Sequence, residues 1–389
     1  MIINIKKFGE KRLRLRKFAL AITIIAVLLS TIFLAIGWFN NERQSIPEFF
    51  VGVEFAYGNA SDLKDLVDKV KNYTNLFVIG SPEISFNQTL LNATCDYIYD
   101  AGLSFIVFFS DPYTRYNYHP IIWIMKAKEK YGDRFLGAYH IDEPGGKQLD
   151  NSPSRLVLEA KNYTDAAETY VKYLYYHLEY YGVYYGSSVF TADYGLYWFD
   201  YRGGYNTVLA EFGWNHSRQL TIATCRGAAK IQNKNWGVMV TWTYNGTPYI
   251  ESGDELYSDL ILAYHAGAKY VAVFNYPKIV RYGILTEEHF DALKKFWNYT
   301  HVNPESHGIV EGDVAYVLPK DYGFGFRHPN DTIWGLWKAD QLSKKIWDDV
   351  NNLLDRYGSR LDIVYSDPEF NNAIKNRYNR LIFWNETTI

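Results

Sequence analysis

The sequence predicts an α/β protein with an N-terminal transmembrane helix, a (β/α)₈ barrel and a small βαβαβ domain of flavodoxin-like or Rossmann-like layout. Three observations lead to this prediction. Residues 18–39 form one uncharged, apolar run. From residue 49 to residue 304, short apolar runs alternate with amphipathic helical stretches, which is typical of a parallel sheet. After a stretch that contains Asn-Pro and Gly, the same alternation returns over residues 311–389.

Residues 18–39 predict a single helix that anchors the protein in the lipid bilayer of the cell membrane. None of these 22 positions is charged. At about 1.5 Å per residue the helix would be roughly 33 Å long, enough for a hydrocarbon core of about 30 Å. Residues 1–17 carry seven Lys or Arg against one acidic residue, which predicts a cytoplasmic stub, a linker at 40–48 and an extracellular remainder. The alternative is a cleaved secretory signal, for which this run is long.

Asn-x-Ser/Thr sequons support this topology, because they exceed the number expected by chance and all of them follow the membrane segment. An exported glycoprotein would explain both observations. The candidate N-glycosylation sites are Asn59, Asn72, Asn87, Asn92, Asn162, Asn215, Asn245, Asn298, Asn330 and Asn385.

Composition excludes several classes of function. The net charge is −3 and no basic patch is interleaved with aromatic residues, so no nucleic-acid partner is expected. No G-x-G-x-x-G motif and no His-rich spacing occur, so the sequence predicts neither a nucleotide cofactor nor a metal. Cys95 and Cys225 fall in helices on opposite sides of the predicted barrel, which predicts two free, buried thiols.

Eight predicted strands form the barrel, and their C-terminal ends are where such barrels build active sites. The predicted barrel strands are residues 50–55, 76–80, 104–110, 136–142, 188–193, 207–212, 237–244 and 270–276. The three predicted strands of the C-terminal domain are residues 314–318, 361–366 and 380–384. Side chains at the ends of the barrel strands are therefore the first candidates for chemistry.

The end of predicted strand four, His140-Ile-Asp-Glu-Pro144, is the most informative stretch for function. It brings together His140, Asp142 and Glu143. Two adjacent acids that close an apolar strand are costly to bury without a partner or a purpose. The structural alternative is that Asp142 caps the loop and Glu143 pairs with an arginine, either Arg202 or Arg226.

Other strand ends supply further candidates for substrate binding. Alternation along strand one places Glu54 on the face that would line the barrel. Glu211 ends strand six. Aromatic residues at several strand ends are each more often packing residues, but together around one rim they suit a carbohydrate platform, because Tyr and Trp stack on sugar rings. The predicted substrate-binding residues are Glu54, His140, Asp193, Trp214, Trp242, Tyr244 and Tyr276.

A barrel whose fourth strand ends in Asp-Glu-Pro resembles the (β/α)₈ glycoside hydrolases. In their large retaining group this strand ends in Asn-Glu-Pro, and the resemblance implies that Glu143 is the general acid/base. The C-terminal αβ domain is similar to one found in β-galactosidase-like and related uncharacterised archaeal or bacterial proteins. One departure stands out: residues 238–245, where that group carries its nucleophile, contain no acid. Other barrel glycosidases, which act on α-linkages, take carboxylates from strands four and six, and Glu143 or Asp142 with Glu211 fits that arrangement.

The resulting hypothesis is a membrane-anchored glycoside hydrolase that cleaves surface or extracellular glycans without a cofactor. The sequence does not assign which carboxyl is the acid. A carboxyl separation of about 5 Å would imply retention of configuration, and about 6.5–9.5 Å inversion. Two alternatives remain open. One is a non-catalytic glycan-binding or structural surface protein on a degenerate barrel, and the other is a metal-dependent hydrolase built on Glu54, His140 and Asp142.

Overall fold

The computed structural model describes residues 49–110, 113–179 and 186–386. Eight parallel strands close into a barrel in sequence order, and the eighth pairs with the first. This confirms the predicted (β/α)₈ barrel. The strands are β1 (Phe50–Phe55), β2 (Leu76–Ile79), β3 (Ser104–Phe109), β4 (Phe135–His140), β5 (Ser188–Asp193), β6 (Thr207–Phe212), β7 (Asn235–Val240) and β8 (Tyr270–Val273).

Helices follow the barrel strands and cover the outside of the sheet. The first shows why, since Leu63, Leu66, Val67 and Val70 recur at helical spacing and are all buried, and the side chain of Asn59 caps its N-terminus. The described helices up to the domain boundary are α1 (Ala60–Val70), α2 (Pro82–Ser85), α3 (Gln88–Asp100), α4 (Pro120–Tyr131), α5 (Pro144–Leu149), α6 (Tyr163–Glu179), α7 (Tyr197–Gly203), α8 (Arg218–Ile231), α9 (Gly253–His265) and α10 (Glu287–Val302).

Two layers of apolar side chains form the core of the barrel. The larger layer lies between the strands and the helices. The smaller layer fills the barrel interior, because alternate residues of each strand point inward. Its buried members are Phe50, Leu76, Val78, Ile106, Tyr139, Phe190, Ala192, Leu209, Met239, Tyr270 and Ala272. The barrel is therefore packed through its centre and leaves space only near its ends.

The C-terminal part contains a three-stranded parallel sheet in the order β10-β9-β11. Its elements are β9 (Val314–Leu318), α11 (Gln341–Tyr357), β10 (Leu361–Tyr365), α12 (Asn371–Arg377) and β11 (Arg380–Phe383). The sheet packs against α8 of the barrel, where Arg226 forms a buried ion pair with Asp362 at 2.8 Å. The same guanidinium donates to three backbone carbonyl groups, those of Val310, Ser359 and Leu361.

Several predictions can be compared directly with these elements. Cys95 and Cys225 are both free and buried, as predicted. Strands β7 and β8 end at Val240 and Val273, three or four residues before their predicted ends. The predicted stub, membrane segment and linker, residues 1–17, 18–39 and 40–48, lie outside the described residues. Among the residues that are described, no helix has both the length and the apolar character needed to cross a membrane.

Candidate active site

A cavity of about 320 Å³ opens at the C-terminal ends of the barrel strands. Four carboxyl groups contribute to its wall, from β1, from the loop after β4 and from β6. The rest of the wall is mainly aromatic. The lining residues are Glu54, Ala56, Tyr57, Gly80, Phe108, Tyr139, Asp142, Glu143, Glu211, Trp214, Met239, Thr241, Trp242, Phe274 and Tyr276.

Residues 141–146, which we call the β4 turn, place Glu143 in the cavity wall. Ile141 and Glu143 have left-handed backbone conformations, with φ of 54° and 50°. Such conformations are unfavourable for side chains with a Cβ and persist where neighbouring structure maintains them. Here β5 does so, since the Glu143 amide donates to Ala192 O at 3.0 Å and Thr191 Oγ1 donates to Ile141 O at 2.7 Å.

Lys147, in the first turns of α5, is the cation of the site. Its Nζ lies 3.0 Å from Asp142 Oδ2 and 3.4 Å from Glu143 Oε2. Asp142 also accepts a hydrogen bond of 2.5 Å from the hydroxyl of Tyr139. Burial first, and then the charge of Asp142, raise the pKa of Glu143 to about 7, while Lys147 opposes this rise. Glu143 can therefore change protonation state near neutral pH.

Glu211, near the end of β6, is almost completely buried in the cavity wall. Burial is the largest cause that raises the pKa of this carboxyl well above its usual range, and the charges of Glu143 and Asp142 add to the effect. Both effects favour the protonated form of Glu211. The site thus combines a carboxyl on β6 whose pKa is raised well above its usual range with a carboxyl after β4 whose pKa is raised to about 7.

Glu54 on β1 is the second buried carboxyl of the cavity, in addition to Glu211. Its Oε2 has no hydrogen-bond partner among the described residues, and burial raises the pKa of the group to about 8. Gly80 makes room for it, because a Cβ at that position would come within 2.2 Å of Glu54 Oε1. A buried polar atom without a partner is unfavourable, so Oε2 is available for a hydrogen bond to a ligand.

Aromatic rings form one side of the cavity mouth. Trp242 and Tyr276 are stacked with centroids 6.4 Å apart, and Tyr276 contacts Tyr57 at 4.6 Å. Trp242 Nε1 donates to Tyr276 O at 2.6 Å, which links the loops that follow β7 and β8. Tyr57 and Tyr276 keep 56% and 37% of their surfaces exposed, so their faces are accessible to a ligand.

Most predicted site residues lie around this one cavity, but three do not. His140 points away from it, because the inward position of β4 is taken by Tyr139, and its Nδ1 lies 2.7 Å from Phe109 O. Asp193 is buried behind the β4 turn. Tyr244 lies in the exposed loop after β7. The predicted residues that line the cavity are Glu54, Asp142, Glu143, Glu211, Trp214, Trp242 and Tyr276.

The structural alternative, in which Arg202 or Arg226 pairs with Glu143, is not what the structure shows. Arg202 pairs with Asp367 at 2.7 Å and Arg226 pairs with Asp362, so both bind the C-terminal part of the chain. The partner of Glu143 is Lys147 instead. In the described ranges, no group of three or more His, Cys, Asp or Glu side chains is arranged to hold a metal ion. The proposed metal trio is not assembled, because His140 lies outside the cavity.

Sequence reasoning missed several residues of the cavity wall. Tyr139 and Met239 belong to the inward-facing set of their strands, and strand alternation could have identified both. Tyr57 lies two residues after β1, and no sequence pattern identified it as a site residue. The remaining missed residues are Ala56, Gly80, Phe108, Thr241 and Phe274.

Comparison with models of protein families gave no match, and a search of curated proteins gave none either. Solved structures with a similar fold include a β-mannanase from the blue mussel Mytilus edulis, 9% identical, which has a TM-score of 0.43 over 64% of this chain and 92% of that chain. A psychrophilic family 10 endo-β-1,4-xylanase is 12% identical, with a TM-score of 0.43 over 63% and 96%. A D-psicose 3-epimerase is 8% identical, with a TM-score of 0.37 over 65% and 99%. At these values the likeness concerns the barrel fold alone.

Proposed function

We propose that this protein is a glycoside hydrolase. One observation carries the proposal: carboxyl groups from two different strands, Glu143 after β4 and Glu211 on β6, share one open cavity with an exposed aromatic wall. Hydrolysis of a glycosidic bond needs two such carboxyl groups, one protonated and one ionised, on either side of the bond. The alternative of a closed rim with both carboxyls used in structural ion pairs has less support, since within the described ranges Glu143 forms an ion pair and Glu211 does not.

The surroundings of the two groups favour one assignment of roles. Burial and the nearby charges of Glu143 and Asp142 favour the protonated form of Glu211, so we assign it as the general acid that gives its proton to the glycosidic oxygen as the bond to the anomeric carbon breaks. Glu143 is partly exposed and has Lys147 beside it, so it is the group that acts in its ionised form. It attacks the anomeric carbon or takes a proton from the water that does so. Water finally supplies the hydroxyl group of the released sugar.

The rest of the cavity suits a sugar ring. Trp242, Tyr276 and Tyr57 offer aromatic faces on which the apolar side of a pyranose stacks. The neutral carboxyl of Glu54 hydrogen-bonds a sugar hydroxyl deep in the cavity, because its Oε2 is otherwise unpaired there. Asp142 accepts hydrogen bonds from Lys147 and Tyr139, which hold it in place as a further polar group of the cavity wall.

The test is sugar release from a panel of aryl glycosides and polysaccharides. We expect E143Q and E211Q each to lose about 10²- to 10⁴-fold in kcat/KM. The matched control is E129Q, because Glu129 is an exposed glutamate on the outer helix α4. A dinitrophenyl glycoside, whose leaving group needs no proton, should restore activity to E211Q but not to E143Q. The opposite pattern would exchange the two roles.

A different result would favour the second hypothesis. If the parent protein bound glycans but released no sugar from any substrate, and E143Q bound them equally well, the protein would be a non-catalytic glycan-binding surface protein. Full activity of E143Q on every substrate that the parent cleaves would also contradict the proposed role of Glu143.

We further propose that residues 18–39 anchor this enzyme in the cell membrane with its barrel outside. Of the ten sequon asparagines, nine are exposed, as glycan attachment requires. The exception is Asn92, which is half-buried and accepts a hydrogen bond from Trp123 Nε1 at 2.7 Å. The full-length chain should stay in the membrane pellet after alkaline extraction, and protease added to intact cells should digest the barrel. Release of a shortened chain into the medium would instead indicate a cleaved signal.

A further inference from the structure

The carboxylate of Asp193, the last residue of β5, is completely buried and binds backbone amides. Its oxygens accept hydrogen bonds from the amides of Gly145 (2.6 Å), Gly146 (2.7 Å), Tyr194 (2.7 Å) and Gly195 (3.3 Å). Two of these donors belong to the β4 turn, directly after Glu143. Asp193 therefore ties the end of β5 to the segment that carries Glu143.

The two glycines of the β4 turn permit this close approach. A Cβ at Gly145 would come within 2.4 Å of Gly195 O, and a Cβ at Gly146 within 2.1 Å of the Tyr194 ring. Neither contact is possible for a larger residue without displacement of the turn. The Pro-Gly-Gly that follows Glu143 in the sequence is thus explained by contact with the loop after β5.

A second buried carboxyl, Asp200 on α7, lies within hydrogen-bonding reach of Asp193. Its Oδ1 accepts a hydrogen bond of 2.7 Å from the hydroxyl of Tyr170. Its Oδ2 is buried, and no donor faces it among the described residues. Neither carboxyl forms a salt bridge with any residue that the structure describes. Two ionised carboxylates in contact and buried in this way would repel each other strongly, so the pair holds one proton.

The partners of the two carboxyls indicate where that proton lies. Burial raises the pKa of Asp193 to about 7, but its amide donors oppose the rise. Burial and the charge of Asp193 raise the pKa of Asp200 well above its usual range. The other titratable groups near the pair are phenols and a thiol, which stay neutral because burial raises their pKa values, and two carboxyls of the cavity. They are Tyr170, Tyr194, Tyr197, Tyr201, Tyr205 and Cys225, together with Glu143 and Glu211. The proton therefore belongs to Asp200.

We propose that Asp193 is a positioning residue for Glu143, holding the β4 turn as an ionised carboxylate, and that Asp200 keeps it ionised by carrying the single proton of the pair. The hydroxyl of protonated Asp200 donates from Oδ2 to Asp193. This proposal rests on the proposed catalytic role of Glu143. It assigns Asp193 a function in orienting the catalytic group rather than in binding the sugar.

Two isosteric variants distinguish the members of the pair. In D200N the amide nitrogen donates to Asp193 and the amide oxygen accepts from Tyr170, so this variant mimics protonated Asp200 and should retain the parent kcat/KM. In D193N one backbone amide loses its acceptor and faces an NH₂ group. We expect kcat/KM to fall by up to about 100-fold, mainly through kcat, because the catalytic group is misplaced while the sugar platform is intact.

The pH profile of kcat/KM distinguishes positioning from a loss of stability, because a loss of stability alone would not shift its acidic limb. The charge of Asp193 contributes to the raised pKa of Glu143. Its removal in D193N should shift the acidic limb of kcat/KM to lower pH, whereas D200N should leave the limb in place. A parent-like kcat/KM and limb in D193N, or an equal loss in D200N, would overturn the proposal.

Two further measurements keep the proposal testable in every case. If D193N does not fold, T191V removes another side-chain tether of the turn, the bond from Thr191 Oγ1 to Ile141 O, and should lower kcat without raising KM. An unchanged kcat in T191V would overturn the positioning. If the parent protein releases no sugar at all, the proposed function fails, but thermal unfolding still tests the proton: D193N should lose far more Tm than D200N, and equal losses would refute the assignment.

Discussion

Lys147 is the residue whose replacement tests the electrostatics of the site most directly. Its Nζ lies 3.4 Å from Glu143 Oε2, and it favours the ionised form of that carboxyl. In K147M the aliphatic stem remains but the charge is gone. The pKa of Glu143 must then rise further above its usual value.

The size of the shift follows from the distance. Two unit charges 3.4 Å apart interact by about 5 kcal/mol at an effective dielectric constant of 20, and by about 1 kcal/mol in bulk water. The side chains of Lys147 and Glu143 are 32% and 30% exposed, so solvent screens the pair and the lower value is the better guide. One pKa unit corresponds to about 1.4 kcal/mol, so we expect an upward shift of roughly one unit.

The assay is the pH dependence of kcat/KM on an aryl glycoside. Because Glu143 acts in its ionised form, activity appears as pH rises through its pKa, and a higher pKa moves the acidic limb of K147M to higher pH. K147R, which keeps the positive charge, should leave the limb near that of the parent. An unchanged limb in K147M, or a shift to lower pH, would refute the proposed state of Glu143.

Two other substitutions probe the site and the domain contact. G80A should displace Glu54, since the new Cβ would come within 2.2 Å of its Oε1, and should lower kcat/KM by up to about 100-fold with an unchanged circular dichroism spectrum. Parent-like activity would mean that this carboxyl contributes nothing. R226M leaves Asp362 buried without its cation and should reduce the free energy of unfolding by about 3–5 kcal/mol in urea denaturation. The double variant R226M/D362L should recover part of that loss, and no recovery would contradict a charge effect.

Strand positions could be predicted from the sequence because the signals for them are local. Runs of β-branched and aromatic residues between turn residues gave β1, β5 and β6 with their observed bounds. The ends of β7 and β8 could not be predicted in this way. There the chain leaves the sheet through loop hydrogen bonds that strand periodicity does not predict. Examples are the bond from the amide of Tyr244 to Tyr249 O after β7 and the bond from Asn275 Nδ2 to Tyr282 O after β8.

Strand alternation predicts the direction of site residues inside the strands but not of those beyond the strand ends. Glu54 lies inside a regular strand, and alternation correctly placed it toward the interior. Alternation from Tyr139 and Ala192, both inward, would also have directed His140 and Asp193 outward. Glu143 lies beyond the strand, in left-handed backbone that breaks the alternation, so its direction depends on contacts with β5 that only the folded structure supplies.

The contacts around the β4 turn continue into the C-terminal part of the chain. Gln148, on the helix that follows the β4 turn, donates from Nε2 to Trp334 O at 2.8 Å, and Thr332 Oγ1 donates to Leu149 O at 3.0 Å. The completely buried ring of Trp334 also packs against Tyr170, the residue that donates to Asp200. The loop between β9 and α11 thus contacts the helix that carries Lys147 and the tyrosine that binds Asp200. We therefore expect the orientation of the proposed catalytic carboxyl to depend on this loop as well as on the barrel.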